Sequence, residues 1–284
     1  MKKILPWLIL ILVIFLGVSA LFYNTENTHS LASVNRFILA VGISDGDPWA
    51  KNDVVGMAGL LRASENNNQV FVSTDSVSCA KSNLKRVIAD YASAAVGGDI
   101  VYLYFSCHGT QVSDTNKDER NFDPLDTMDE AMKLYNNELL VDDEMDTLFR
   151  TFKKGVQIVF IADCCHSGSL ATFEKYAVYD FAPSSVYADM KAQLIYMGAC
   201  QDNKDSETST GKEYSVFTQA LIDQKKKYPN KNYQSLFSAA RARVDFSQTA
   251  SYMELTSRGL CSLKRSSACQ LVDTDFRNQI AFSK

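Results

Sequence analysis

Two segments of this chain, residues 101–105 (VYLYF) and 156–162 (VQIVFIA), are apolar at almost every position. A strand with one solvated face alternates apolar and polar residues, whereas a continuous run is buried on both faces, as in a parallel sheet covered by helices. Parallel neighbours need long crossovers, which are usually helical. The sequence supplies them: further short apolar runs at 37–42, 70–73 and 193–198 alternate with stretches of helical period at 53–62, 79–95, 141–152, 215–226 and 233–244. The expected fold is α/β, a three-layer sandwich with a mostly parallel sheet and helices on both faces. Residues 107–140 are polar and acidic without clear period and read as a long loop, a length that usually carries a role. Residues 251–260 read as a strand.

The N-terminus differs from the rest. Lys2 and Lys3 precede an uncharged run over 4–23, so residues 1–30 read as a signal peptide or membrane anchor ahead of a domain over 31–284. About 20 apolar residues span a bilayer, which favours an anchor. Val18, Ser19 and Ala20 are small residues that favour cleavage after Ala20, and both readings stay open. Either way the N-terminal lysines stay cytoplasmic and the domain lies on the non-cytoplasmic side. The formal net charge of −4 gives nucleic-acid binding no electrostatic support. Seven cysteines, at 79, 107, 164, 165, 200, 261 and 269, lack paired CxxC spacing for zinc. In an oxidising compartment Cys261 and Cys269 could pair, and the odd count leaves at least one thiol unpaired or bonded elsewhere.

Each of the two most apolar strands ends in a reactive side chain: His108 follows VYLYFSC and Cys165 follows VQIVFIADC. Sites in open α/β sheets form at the carboxyl ends of strands. A histidine brought beside a cysteine by a neighbouring strand promotes the thiolate and, once protonated, can donate to a leaving amine. Gly109 leaves room for a substrate carbonyl, and backbone N–H groups near Gly109 and Cys165 are candidates to hold an oxyanion. Strand alternation puts Asp163 and Cys165 on the same face as Ser106 and His108. The competing reading of Cys165 is a small, inert, buried thiol.

The segments FSCHGTQ (105–111) and DCCHSGS (163–169) resemble the paired histidine and cysteine motifs of metacaspases, in the caspase-like peptidase clan. KNDV (51–54), VDDEM (141–145) and GACQDNKDS (198–206) match further segments of that family in order. The resemblance covers roughly residues 36–220. It implies a caspase-like sandwich and a cysteine endopeptidase with Cys165 as nucleophile, His108 as acid/base and Cys164 as a neighbour on the other face. It also implies a pocket in which Asp163 and Asp53, with Ser106, select Arg or Lys before the scissile bond. A buried carboxylate needs a cationic partner, which disfavours cleavage after aspartate. The competing reading of Asp53 is a helix-start residue that complements the dipole.

The resemblance further implies an activating calcium ion on acidic residues of the 107–140 region and the helix after it, with Asp129, Asp142 and Asp143 as ligands and Glu130 nearby, an all-oxygen set suited to calcium. The competing reading is a solvated acidic loop. No organic cofactor is implied. Two positions depart from the family: Cys107 stands where glycine is usual, and Thr172 where aspartate is usual. They motivate an alternative, a catalytically silent caspase-like module that binds a peptide or protein partner. Clustering of Cys107, Cys164 and Cys165 offers a third reading, a nucleophile regulated by oxidation. Self-processing after Lys175, Lys204 or Lys212 is an expectation from the family.

Overall fold

The computed structural model describes residues 34–46, 48–62, 68–115, 128–168, 170–171, 189–201, 206, 213–244, 248–262 and 269–283. In chain order these begin with β1 (Arg36–Gly42), α1 (Pro48–Leu61), β2 (Asn68–Thr74), α2 (Lys81–Ala94) and β3 (Ile100–Ser106). Then come β4 (Gly109–Ser113), β5 (Met128–Lys133), β6 (Leu139–Val141), α3 (Asp142–Arg150), β7 (Gln157–Asp163) and β8 (Gln193–Gly198). The remainder is α4 (Val216–Lys227), α5 (Tyr233–Arg241), β9 (Ser251–Thr256), β10 (Gly259–Ser262) and α6 (Thr274–Asn278).

The main sheet has seven strands in the order β10-β9-β8-β7-β3-β1-β2. The strands from β2 across to β8 are parallel, and β9 runs antiparallel to both β8 and β10. Every residue of β1 and β3 is buried, as the unbroken apolar runs require. Alternation along the strands divides the core in two. Leu39, Val101, Leu103, Phe105, Ile158 and Phe160 pack with residues of α2 and α3 on one face. Ile38, Ala40, Tyr102, Tyr104, Val159 and Ile161 pack with residues of α1, α4, α5 and α6 on the other. The result is the expected three-layer α/β sandwich. The buried tyrosine hydroxyls are satisfied, Tyr104 by Thr218 at 2.7 Å and Tyr102 by Tyr233 at 2.9 Å.

Three expectations need correction. Residues 107–140 are not a continuous loop: β4, β5 and β6 form a second, antiparallel sheet. β4 is short and mostly half-buried, so neither face is continuously apolar. The helix expected from Asp53 starts at Pro48, where proline presets the first helical φ and lacks a donor the helix would leave unpaired. Asp53 therefore lies in the second turn, fully buried, and is not a helix-start residue. The strand expected at 251–260 is a hairpin, β9 and β10, and Cys261 within β10 is disulfide-bonded to Cys269. Among the described residues no helix is long and apolar enough to cross a membrane. The expected leader, Thr172, Lys175, Lys204 and Lys212 lie outside the described residues.

Candidate active site

β3 and β7 are adjacent at the centre of the sheet, with Ser106 opposite Asp163. The ladder continues one bond further, Cys107 N donating to Asp163 O at 3.2 Å. His108 and Cys165 thus leave the sheet from neighbouring tips, each two residues past that pair. Lys133 N donates to His108 O at 2.9 Å, tying the turn after β3 to the second sheet. Gly109 packs directly on the Cys165 peptide: a Cβ there would stand 2.7 Å from the Cys165 carbonyl carbon and overlap its oxygen. Only glycine permits that approach, and it brings the backbone groups of residues 109 and 165 to one spot.

The Cys165 side chain is partly exposed, and its sulfur accepts a hydrogen bond from Ser206 N at 3.3 Å. The His108 ring is half exposed, with Nε2 3.9 Å from Asp45 Oδ2. Trp49 meets the ring edge-on at 5.8 Å between centroids. Asp45 also faces Lys133 Nζ at 3.6 Å. Neither Asp45 nor Trp49 carries a sequence signal for this position; Asp45 arrives on the turn after β1 and Trp49 on the first turn of α1.

Beneath the tips, on the face covered by α1 and α4, two carboxylates are fully enclosed. Asp53 accepts from Ser106 Oγ at 2.7 Å and Ser215 N at 2.9 Å. Asp163 accepts from Ser206 Oγ at 2.9 Å, Thr218 N at 3.1 Å and Thr218 Oγ1 at 2.7 Å, and from Ser215 Oγ. Ser215 and Thr218 stand at the start of α4, so the helix presents its N–H end to the acidic pair. Burial and the charge of Asp163 push the Asp53 carboxyl up to about 7, against the hydrogen bonds from Ser106 and Ser215. Burial likewise raises Asp163, opposed by its four donors. Asp53, Ser106 and Asp163 are legible in the sequence, whereas Ser215 and Thr218 look there like ordinary helix-start residues.

Asp129 and Glu130 on β5 and Asp142 at the start of α3 are buried. Burial, then the charge of Glu130, pushes the Asp142 carboxyl up to about 9; Asp129 and Asp143 add to the repulsion, while the Asp143 N–H opposes it. Asp143 N donates to Asp142 at 2.9 Å, and Gln111 Nε2 to Glu130 at 2.8 Å. The donor set is all oxygen, the kind a hard cation takes. Among the described residues, no three acidic, histidine or cysteine side chains stand at the spacing that holds a metal ion.

The caspase domain family model matches residues 40–266. The chain belongs to that family. Its relatives include metacaspase-6 of Arabidopsis thaliana, 32% identical over 147 residues, 48% of this chain and 38% of that protein. Metacaspase-4 of the same plant is 32% identical over 111 residues, 38% of this chain and 25% of that protein. An inactive metacaspase-4 of Trypanosoma brucei brucei is 25% identical over 135 residues, 44% of this chain and 37% of that protein. The chain thus matches a quarter to two fifths of the length of these relatives. Among solved structures, protein GSU0716 from Geobacter sulfurreducens aligns with TM-score 0.65 at 24% identity, covering 88% of this chain and 98% of that one. Caspase-1 from Spodoptera frugiperda aligns with TM-score 0.50 at 14% identity, covering 77% and 84%. Both likenesses concern the fold. The caspase-like three-layer sandwich and the cysteine peptidase family therefore stand together with the juxtaposed tips.

Proposed function

We propose that this caspase-family chain is a cysteine endopeptidase that cleaves after Arg or Lys. The observation that carries the reading is the register Ser106↔Asp163, which sets His108 and Cys165 on adjacent tips above the Asp53–Asp163 pair. In the proposed reaction His108 takes the Cys165 proton and the sulfur attacks the scissile carbonyl. The N–H groups of Gly109 and Cys165 hold the developing oxyanion. His108 then protonates the leaving amine, and water cleaves the thioester. The side chain before the scissile bond reaches Asp163 by displacing Ser206, and its cation replaces hydroxyl donors on two carboxylates that crowd each other.

A calcium ion is part of the proposal. Asp129, Asp142 and Asp143 would supply its oxygen ligands only once drawn closer together than they stand here, and the ion would then neutralise carboxylates that repel one another between β5 and α3. Self-processing after a lysine and placement of residues 31–284 on the non-cytoplasmic side, anchored or exported, complete the reading. The Cys261–Cys269 disulfide supports an oxidising compartment.

The test is turnover of fluorogenic peptides ending in Arg, Lys, Asp or norleucine, with and without calcium, by wild type and Cys165→Ala. Turnover of the basic peptides by wild type alone supports the proposal. A folded protein that binds such peptides and turns none over points to the silent module, a reading favoured by the inactive trypanosome relative.

A further inference from the structure

Cys107 and Cys164 each stand one residue before a member of the proposed dyad. The pairing Ser106↔Asp163 and the bond from Cys107 N to Asp163 O make them direct neighbours across β3 and β7. Both project into the same core layer, with Phe105 and Ala162. Both are buried, and their side chains are hydrogen-bonded to one another. Adjacent strands lie about 4.8 Å apart, inside the Cα separation of about 4.4–6.8 Å that a disulfide needs. Neither cysteine is in a disulfide in this structure, whereas Cys261–Cys269 is formed.

We propose that Cys107 and Cys164 are a reversible dithiol–disulfide site, a covalent link between β3 and β7 directly behind His108 and Cys165. The oxidant is a low-molecular-weight disulfide. The Cys164 thiol is held well above its ordinary range, first by its hydrogen bond to Cys107 and then by burial. Both sulfurs are covered, so the reagent meets them when the strand ends open. The Cys107 thiolate attacks one sulfur of the oxidant, whose S–S bond breaks, and one small thiol leaves. The Cys164 thiolate then attacks the Cys107 sulfur of the mixed disulfide, forming the Cys107–Cys164 bond and releasing the second small thiol. Two protein thiols are oxidised by two electrons, one small disulfide is reduced, and both protons end on the small thiols. The link fixes the spacing of the two tips, so redox state reaches the dyad through the backbone without touching the Cys165 sulfur.

The test uses the full chain incubated with oxidised glutathione, denatured in iodoacetamide and digested without reduction. The expected result is a pair of peptides joined through Cys107 and Cys164, lighter by two hydrogens and separated by dithiothreitol, with Cys79 alkylated. Cys107→Ser abolishes the link and leaves Cys164 alkylated, and Cys200→Ser keeps the link. Alkylation of both Cys107 and Cys164 in oxidised wild type overturns the proposal, as does a bond from Cys164 to Cys165 or Cys200. The readout is the bond itself, so it stands or falls separately from peptidase turnover.

Discussion

Replacing Asp163 by Asn tests how the buried acidic pair acts. The substitution keeps the side-chain shape but removes one charge and offers an amide to Ser206, Ser215 and Thr218, all of which donate to the carboxylate. A substrate cation about 4 Å from one carboxylate gains about 4 kcal/mol at an effective dielectric of 20. Desolvating that cation offsets part of it, which leaves roughly 2 kcal/mol. That is about thirty-fold in kcat/KM for an Arg peptide, while a norleucine peptide should change little.

The pH profile adds a second signature. Asp53 is held up to about 7 by burial and by Asp163. Below that pH it carries a proton and attracts a cation less, so kcat/KM for Arg peptides relative to norleucine peptides should rise with pH through about 7. In Asp163→Asn the second cause is gone, and this rise should move to lower pH even as its plateau falls. The assay is initial-rate kinetics with both peptides from about pH 5 to 9, a range bracketing the carboxylate and imidazole titrations. Equal losses on both peptides, or a rise that does not move, would refute the assignment of the pair to cation recognition.

Gly109→Ala should lower both stability and turnover, because its Cβ overlaps the Cys165 peptide and one strand tip must move; an unchanged melting temperature and kcat would contradict that contact. Ser206→Ala removes a hydroxyl that donates to Asp163 and that, in the proposed reaction, a basic side chain displaces. Its KM for Arg peptides should fall severalfold with kcat little changed, read from the same kinetics. Asp142, raised to about 9 in the folded chain, binds a proton more tightly than in the unfolded chain. Its contribution is complete below about pH 4 and is lost as pH rises through about 9, so melting temperature should decline over that range and Asp142→Asn should flatten the decline. Calcium should raise the melting temperature of wild type at neutral pH and not that of Asp142→Asn, as followed by calorimetry.

The sheet and its two reactive tips were legible because the evidence is local. Unbroken apolar runs such as VQIVFIA have one stable place, the middle of a covered sheet, and alternation then assigns Asp163 and Cys165 to one face. The second sheet escaped notice because Gly109–Ser113 and Met128–Lys133 pair across a long separation with little apolar pattern of their own. Asp53 was found, but its setting was open until Pro48 proved to start the helix. Asp45, Trp49, Ser215 and Thr218 reach the site only through tertiary packing, which no spacing along the chain announces. The acidic residues at 129, 142 and 143 were easy to see, yet composition alone does not arrange them around an ion.

Activation of Cys165 by His108 underlies all of the proposed chemistry. It is tested most directly by the rate at which iodoacetamide alkylates Cys165 at about pH 6.5, well below the ordinary thiol range, in wild type and His108→Ala, with the labelled residue identified by mass spectrometry. Wild type should label rapidly, and a folded His108→Ala at least about tenfold more slowly. Equal rates in the two proteins would contradict that activation.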